Sequence, residues 1–276
     1  MNIFERLYVA LFKQAAKRKL FTAALAKMPQ PNLHPATAEE AIHFKHFGLL
    51  GDVIYAIPAM KALAGNKKIQ LHLSVNEKSL YSKNMKHANK DKILTEKNVA
   101  MLAPLLLSQP GFGSCDILTG QKIDYDLDEF RKYPFDYNTN HICRWYFHMY
   151  GITADLGKPW LTVKPDESFS NEIVIARSFR YRAPGISYDF LKEYPHITFV
   201  GMKEEYEDLK KAIPVLKHKQ VTNFLELAQV IAGCKFFIGN QSFPFALAEA
   251  LKVKRALELC FECPNVIPEG ENAYDF

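Results

Sequence analysis

From residue 42 onward the chain alternates between short apolar runs and segments whose apolar residues recur at spacings of three and four. The runs 42–46, 69–75 and 115–118 read as strands, and 53–64, 98–107 and 141–150 as helices. Gly65-Asn66 and the stretch 109–113 break the first two helices. After a connection at 157–165 the pattern resumes, with strands at 172–176, 197–200, 215–218, 235–239 and 255–259. Helices at 203–212, at 223–232 and from Ser242 onward separate them. Strand-helix alternation is the signature of parallel sheets joined by right-handed crossovers, so the fold class is α/β, in two halves of four or five strands each.

The segment ahead of this pattern differs. Phe4, Leu7, Tyr8, Leu11 and Phe12 recur at helical spacing, and Pro29 with Pro31 stop the run. Arg6, Lys13, Lys17, Arg18, Lys19 and Lys27 face only one acid, Glu5, so this segment carries the whole net charge of +5. Three regions follow: a basic amphipathic helix and Pro-rich linker (1–35, with the linker at Pro29–Pro35), a first domain (36–160) and a second (161–276). The basic helix fits two roles. It lies on an anionic membrane surface, where each Lys or Arg contributes about 1 kcal/mol, or it docks on the protein's own body with its cations in water.

A neutral remainder argues against a nucleic-acid partner, which needs a basic face. No run approaches the roughly 20 apolar residues of a membrane span, and basic residues interrupt any secretory signal at the start. Five cysteines, an odd number, point to a reducing compartment, so the expected location is cytoplasmic, at the inner face of a membrane if the helix binds one. Cys260-Phe-Glu-Cys263 has metal-ligand spacing but no second pair, and reads as strand-end cysteines.

Two segments carry candidate chemistry. Phe47-Gly-Leu-Leu-Gly-Asp-Val-Ile-Tyr-Ala-Ile-Pro-Ala59 places Gly51 and Asp52 where a strand turns into a helix, with free N–H groups and partial positive charge nearby. Asp52 either presents its carboxylate to a ligand or is only an N-cap. Phe236-Phe-Ile-Gly-Asn-Gln-Ser-Phe-Pro-Phe-Ala-Leu-Ala-Glu-Ala-Leu251 repeats the grammar: apolar strand, Gly-containing turn, Ser cap, Pro in the first helical turn.

Together these segments resemble the two halves of the heptosyltransferase-like (family 9 type) glycosyltransferases, across residues 42–262. The resemblance implies GT-B architecture, in which two Rossmann-like domains face each other across a cleft. It implies an inverting, metal-independent transferase, without cofactor, moving a sugar from a nucleotide-sugar donor to a glycan or lipid-linked acceptor. Asp52 matches the aspartate that accepts the acceptor's proton. Gly51, Asn240, Gln241, Ser242 and Phe243 would border the donor phosphates, with Arg177, Ser178, Arg180 and Arg182 following a strand end on the same domain. A solvated loop is the plain alternative for those arginines. Gly201, Met202 and Glu204 would line the nucleoside pocket, and Glu249 either reaches a ribose or faces solvent.

The polar, aromatic stretch 120–140 is a candidate ligand-touching loop. Its Asp124-Tyr-Asp126 and Asp126-Leu-Asp128 pairs have Asp-x-Asp spacing, but away from any nucleotide-binding strand. Trp145, Tyr146, Phe147 and Tyr150 read as core packing rather than a sugar platform. Where the family has Asp-Ser/Thr-Gly-Pro-x-His, this chain has Gln241-Ser242-Phe243-Pro244-Phe245-Ala246, without the acid, the glycine and the histidine. The family's final helix, which crosses back onto the first domain, is missing or replaced by residues 1–28. A non-catalytic nucleotide- or glycan-binding protein of the same fold therefore stands as an alternative, with a nucleotide-sugar epimerase behind it.

Overall fold

The computed structural model describes residues 3–26, 40–78, 89, 91–132 and 136–276, and the Pro29–Pro35 linker lies outside them. A leading helix, α1 (Ile3–Ala26), precedes two parallel sheets. The first has the order β3-β2-β1-β4, from β1 (Ala41–His46), β2 (Lys68–Leu73), β3 (Phe112–Ile117) and β4 (Tyr125–Asp126). The second, of six strands, has the order β10-β9-β8-β5-β6-β7. It contains β5 (Ile173–Ala176), β6 (Ile197–Val200), β7 (Lys217–Lys219), β8 (Phe236–Asn240), β9 (Arg255–Glu258) and β10 (Ala273–Asp275). Edge strand β10 had no counterpart in the hydrophobic pattern, because two of its three residues are exposed.

Helices α2 (Leu50–Ala64), α3 (Glu96–Leu107) and α4 (Ile142–Tyr150) belong to the first half, and α5 (Lys203–Lys210), α6 (Phe224–Gly233) and α7 (Phe243–Leu251) to the second. Every residue of α2 from Val53 to Met60 is buried, as are Phe245 to Ala250 of α7. A helix apolar on all sides needs cover on all sides. Each has its sheet on one side, and the two helices pack on each other, as α3 packs on α6. One apolar core therefore runs through both halves, while a second cluster around Ile175, Phe199 and Tyr206 covers the far face of the larger sheet. On α4, Trp145, Tyr146 and Tyr150 are buried and Phe147 is partly so, which is the core role read from the sequence.

Pro58 explains how the connection is fastened. Proline has no N–H, so the carbonyl of Ile54, four residues earlier, loses its helical partner, a defect worth about 3 kcal/mol in a helix interior. The buried Trp160 Nε1 donates to that carbonyl at 3.1 Å. Trp160 also donates its backbone N–H to Ala250 of α7 at 2.9 Å and accepts from Lys61 Nζ at 2.8 Å. One residue thus joins helices of both halves, through its indole and its backbone.

Among the described residues the second half also crosses back onto the first. An irregular stretch after β9 does so: Asn265 accepts from the Ile142 N–H at 3.1 Å and donates to the Tyr137 carbonyl at 2.7 Å, and Glu269 pairs with Arg144. Helix α1 buries Ala16 but leaves Ile3, Phe4 and Leu7 72%, 82% and 55% exposed. The side chains of Tyr8, Leu11 and Phe12 lie outside the described set. Among the described residues no helix is long and apolar enough to cross a membrane.

Candidate active site in the interdomain cleft

The β1–α2 turn is built around Gly48. A Cβ there would lie 2.4 Å from His46 Cε1 and 2.8 Å from Asp52 Oδ2, so only glycine fits. Its N–H donates to His46 Nδ1 at 2.7 Å, and the other ring nitrogen meets the Tyr146 hydroxyl at 2.8 Å. His46 is fully buried, and burial drives its pKa down to about 3, helped by the Arg131 and Lys45 charges, so the ring is neutral.

Helix α2 begins at Leu50, earlier than its periodicity predicts, and Leu49 rather than Asp52 is the N-cap. Asp52 stands in the first turn and accepts the Leu49 N–H at Oδ2, 3.1 Å away. Oδ1 takes no hydrogen bond from the described residues. The side chain keeps 22% of its surface accessible. Burial raises its pKa, while Arg131, the Leu49 amide and Arg180 pull it back. Gly51 also lines the cleft, but its Cβ would meet only Ala246 Cβ at 3.9 Å, an ordinary contact.

Across the gap, Ser242 caps α7 without a capping bond from its side chain, and its hydroxyl donates to the Asn240 carbonyl at 3.1 Å. The unpaired N–H groups of this helix end thus remain available, Pro244 contributing none. Asp52 and Ser242 border the same cavity of about 690 Å³, together with Gly51, Arg177, Ser178, Arg180, Gly201, Met202, Gln241 and Phe243. That volume suits a ligand of nucleotide-sugar size. Phe243 packs on Phe224, with ring centroids 4.5 Å apart, and narrows the space at the helix end.

Four sequence candidates lie elsewhere. Glu249 is fully buried and neutralised by Lys252 and Arg255, whose Nε is 2.5 Å from its Oε2, so it meets neither ribose nor solvent. Glu204 is exposed and does not border the cavity. Asn240 is fully buried, and its amide holds the 178–180 loop by accepting from the Ser178 N–H at 2.9 Å and donating to the Ser178 and Arg180 carbonyls at 3.0 and 2.6 Å. Arg182 turns away to Asp208, 2.7 Å distant, with its guanidinium over the Phe179 ring.

Two more candidates line the cavity while their side chains are engaged elsewhere. Arg177 is clamped on Glu258 through bonds of 2.7 and 2.8 Å. Gln241 ties down the crossing-back stretch, donating to the Cys263 carbonyl at 2.6 Å. Of the three arginines, Arg180 is the one whose charge acts on both walls, lowering the proton affinity of Asp52 and of Glu205.

Sequence reasoning missed Glu205 and Arg131. Glu205 lines the cavity, is nearly buried, and accepts the Phe179 N–H at 3.2 Å; burial raises its pKa. The signal was the three-residue spacing from the Met202 cap, which puts Glu205 rather than Glu204 at the capping-box position of α5. Arg131 comes from the 120–140 loop and brings Nη2 to 3.7 Å from Asp52 Oδ2. Nothing local in the sequence marks it. Tyr55, Lys203, Lys219 and His218 complete the walls named here.

Two parallel-sheet α/β domains that share such a cleft define the GT-B architecture. No protein-family model and no curated protein matches the chain. Solved structures do match. E. coli heptosyltransferase WaaC with ADP-2-deoxy-2-fluoro heptose superposes with a TM-score of 0.51 at 12% identity, over 86% of this chain and 92% of that one. TibC from enterotoxigenic E. coli, an iron-containing dodecameric glycosyltransferase, gives 0.56 at 14% identity, over 84% of this chain and 61% of that one. The fold is heptosyltransferase-like.

Proposed function

We propose that the protein is an inverting glycosyltransferase that moves a sugar from a nucleotide-sugar donor to a glycan or lipid-linked acceptor. The observation that carries this reading is the shared cavity, with Asp52 on one wall and the α7 N-terminus and Arg180 on the other. In this reading Asp52 takes the proton of the acceptor hydroxyl at Oδ1 as that oxygen attacks the anomeric carbon from the face opposite the leaving diphosphate. Burial raises its proton affinity toward the range a general base needs. The diphosphate leaves toward Arg180 and the helix end, whose N–H groups and dipole accept its charge. No metal is needed for that neutralisation. Gly201, Met202 and Glu205 would hold the nucleoside. The solved WaaC and TibC structures that hold ADP or ADP-heptose compounds support a nucleotide-sugar donor.

The test incubates the protein with a panel of nucleotide sugars and acceptor glycans and measures nucleoside diphosphate release by wild type and Asp52→Asn. Equal turnover by both removes Asp52 from its role. Binding of a nucleoside diphosphate without any transfer supports the non-catalytic reading, which the Phe243–Phe224 contact at the altered second motif favours.

The acceptor in this reading lies at a lipid surface. Helix α1 leaves Ile3, Phe4 and Leu7 exposed, together with Arg18 and Lys19. The full chain is expected to co-sediment with vesicles containing anionic lipid and not with neutral ones, and Phe4→Glu with Leu7→Glu to abolish this. Equal sedimentation by the double variant refutes the contact.

A further inference from the structure

Behind Asp52 lies a second acid. Asp128, in the 3-10 turn Leu127–Lys132, has a side chain only 4% exposed; the Phe47 amide pulls on its carboxyl, and no side chain among the described residues hydrogen-bonds to either oxygen. Its own backbone N–H donates to Asp126 at 3.0 Å. The groups facing it come from every element around it. Lys45 Nζ is 3.9 Å away but is held by Asp126 at 2.8 Å. His46 Nδ1 is 3.7 Å away but already accepts the Gly48 N–H, so it offers no proton. Tyr146 and Tyr150 of α4 feel its charge as well. That leaves Arg131, whose Nε is 3.8 Å from Asp128 Oδ1 while its Nη2 is 3.7 Å from Asp52 Oδ2. The guanidinium lies over the rings of Phe47 and Phe130, at 4.7 and 4.6 Å, which fixes its plane between the two carboxyls.

We propose that Arg131 is a counter-charge shared between Asp52 and Asp128, and that Asp128 is a positioning residue that sets the basicity of Asp52 through it. The inference rests on Asp52 as the base but reads a coupling that exists without turnover. One cation between two acids couples their titrations. Burial and the neighbouring Asp126 carry the Asp128 pKa up to about 7, against the pull of the Phe47 amide, Arg131 and Lys45. Below that pH Asp128 is neutral and Arg131 acts on Asp52 alone, which weakens the base. Above it, ionised Asp128 draws on the same guanidinium, and Asp52 binds a proton more strongly.

The test is a titration of the Asp52 carboxyl carbon by NMR on selectively labelled full-length protein, which needs no substrate. Wild type is expected to show the Asp52 step and a second, smaller step near pH 7. Asp128→Asn should abolish the second step, and Arg131→Gln should move the Asp52 step upward. Sugar transfer by wild type should rise about three- to tenfold through the same interval and stay flat in Asp128→Asn. A single Asp52 step in wild type, or two steps unchanged in both variants, overturns the proposal while leaving the assignment of the base untouched. Absence of turnover alongside two coupled steps would defeat the catalytic reading and keep the coupling.

Discussion

The two strand-turn-helix motifs share one grammar and present opposite chemistry to the cleft. In the β1–α2 turn the polar side chain itself is offered: Asp52 uses one oxygen to cap Leu49 and leaves the other on the cavity. In the β8–α7 turn the polar side chains face inward. Asn240 binds the neighbouring loop, Gln241 binds the crossing-back stretch, and Ser242 donates to its own turn, so backbone N–H groups remain for a ligand. The same contrast separates the acids of the two helices: Asp52 borders the cavity, and Glu249 is locked between Lys252 and Arg255. A local motif fixes where a helix begins. Which of its side chains is free depends on what the rest of the chain brings alongside.

Substitutions on the two sides of this contrast sharpen it. Asp52→Asn should lower sugar transfer by about 10²- to 10⁴-fold with nucleoside diphosphate affinity kept, by calorimetry; retained transfer would erase the distinction between the turns. Glu249→Gln should cost about 3–5 kcal/mol in urea unfolding, because it strands two buried cations, and should leave diphosphate affinity within about twofold. A large affinity loss in a folded Glu249→Gln protein would put that residue back at the ligand. Arg180→Gln should weaken diphosphate binding by about tenfold or more, since it removes a charge-assisted contact, whereas Arg182→Gln should change it little. The reverse order would show that the loop swings round on binding.

A further effect is a matter of pH. His46 stays neutral in the folded protein down to about pH 3, and His141, also buried, down to about pH 4, although an unfolded histidine protonates near 6.5. Below pH 6.5 the unfolded chain takes up protons that the folded chain refuses. Stability therefore falls with acidity by about 1.4 kcal/mol per pH unit for each ring. Asp128, whose folded-state pKa is about 7, works in the opposite direction over the same interval. The histidine contribution is therefore read from urea midpoints at pH 7 and 5 as the difference between wild type and His46→Gln, the variant losing less stability on acidification.

Local order was legible wherever it rests on local physics. Apart from the short strands β4 and β10, strand and helix positions followed from periodicity, and the cap of α7 from Ser242 and Pro244. Asp52 and Ser242 are brought to one cavity, as the paired motifs implied. Glu205 was missed by one residue, since capping spacing and exposure differ only in three dimensions. Arg131 and Asp128 were illegible as partners of Asp52 because nothing close in sequence joins them. The tight approach at Gly48 and the Trp160 bond to the carbonyl that Pro58 frees are likewise contacts between distant segments.

By itself, then, the sequence determined the two α/β halves, the basic leading helix and the two turns that face the cleft, because backbone propensity and hydrophobic period act over a few residues. The tertiary structure alone decided what each charged side chain meets. Glu249, Arg177 and Arg182 differ from Asp52 and Arg180 in their neighbours, not in their local sequence, and a buried charge is neutralised by whatever packing places within about 4 Å of it.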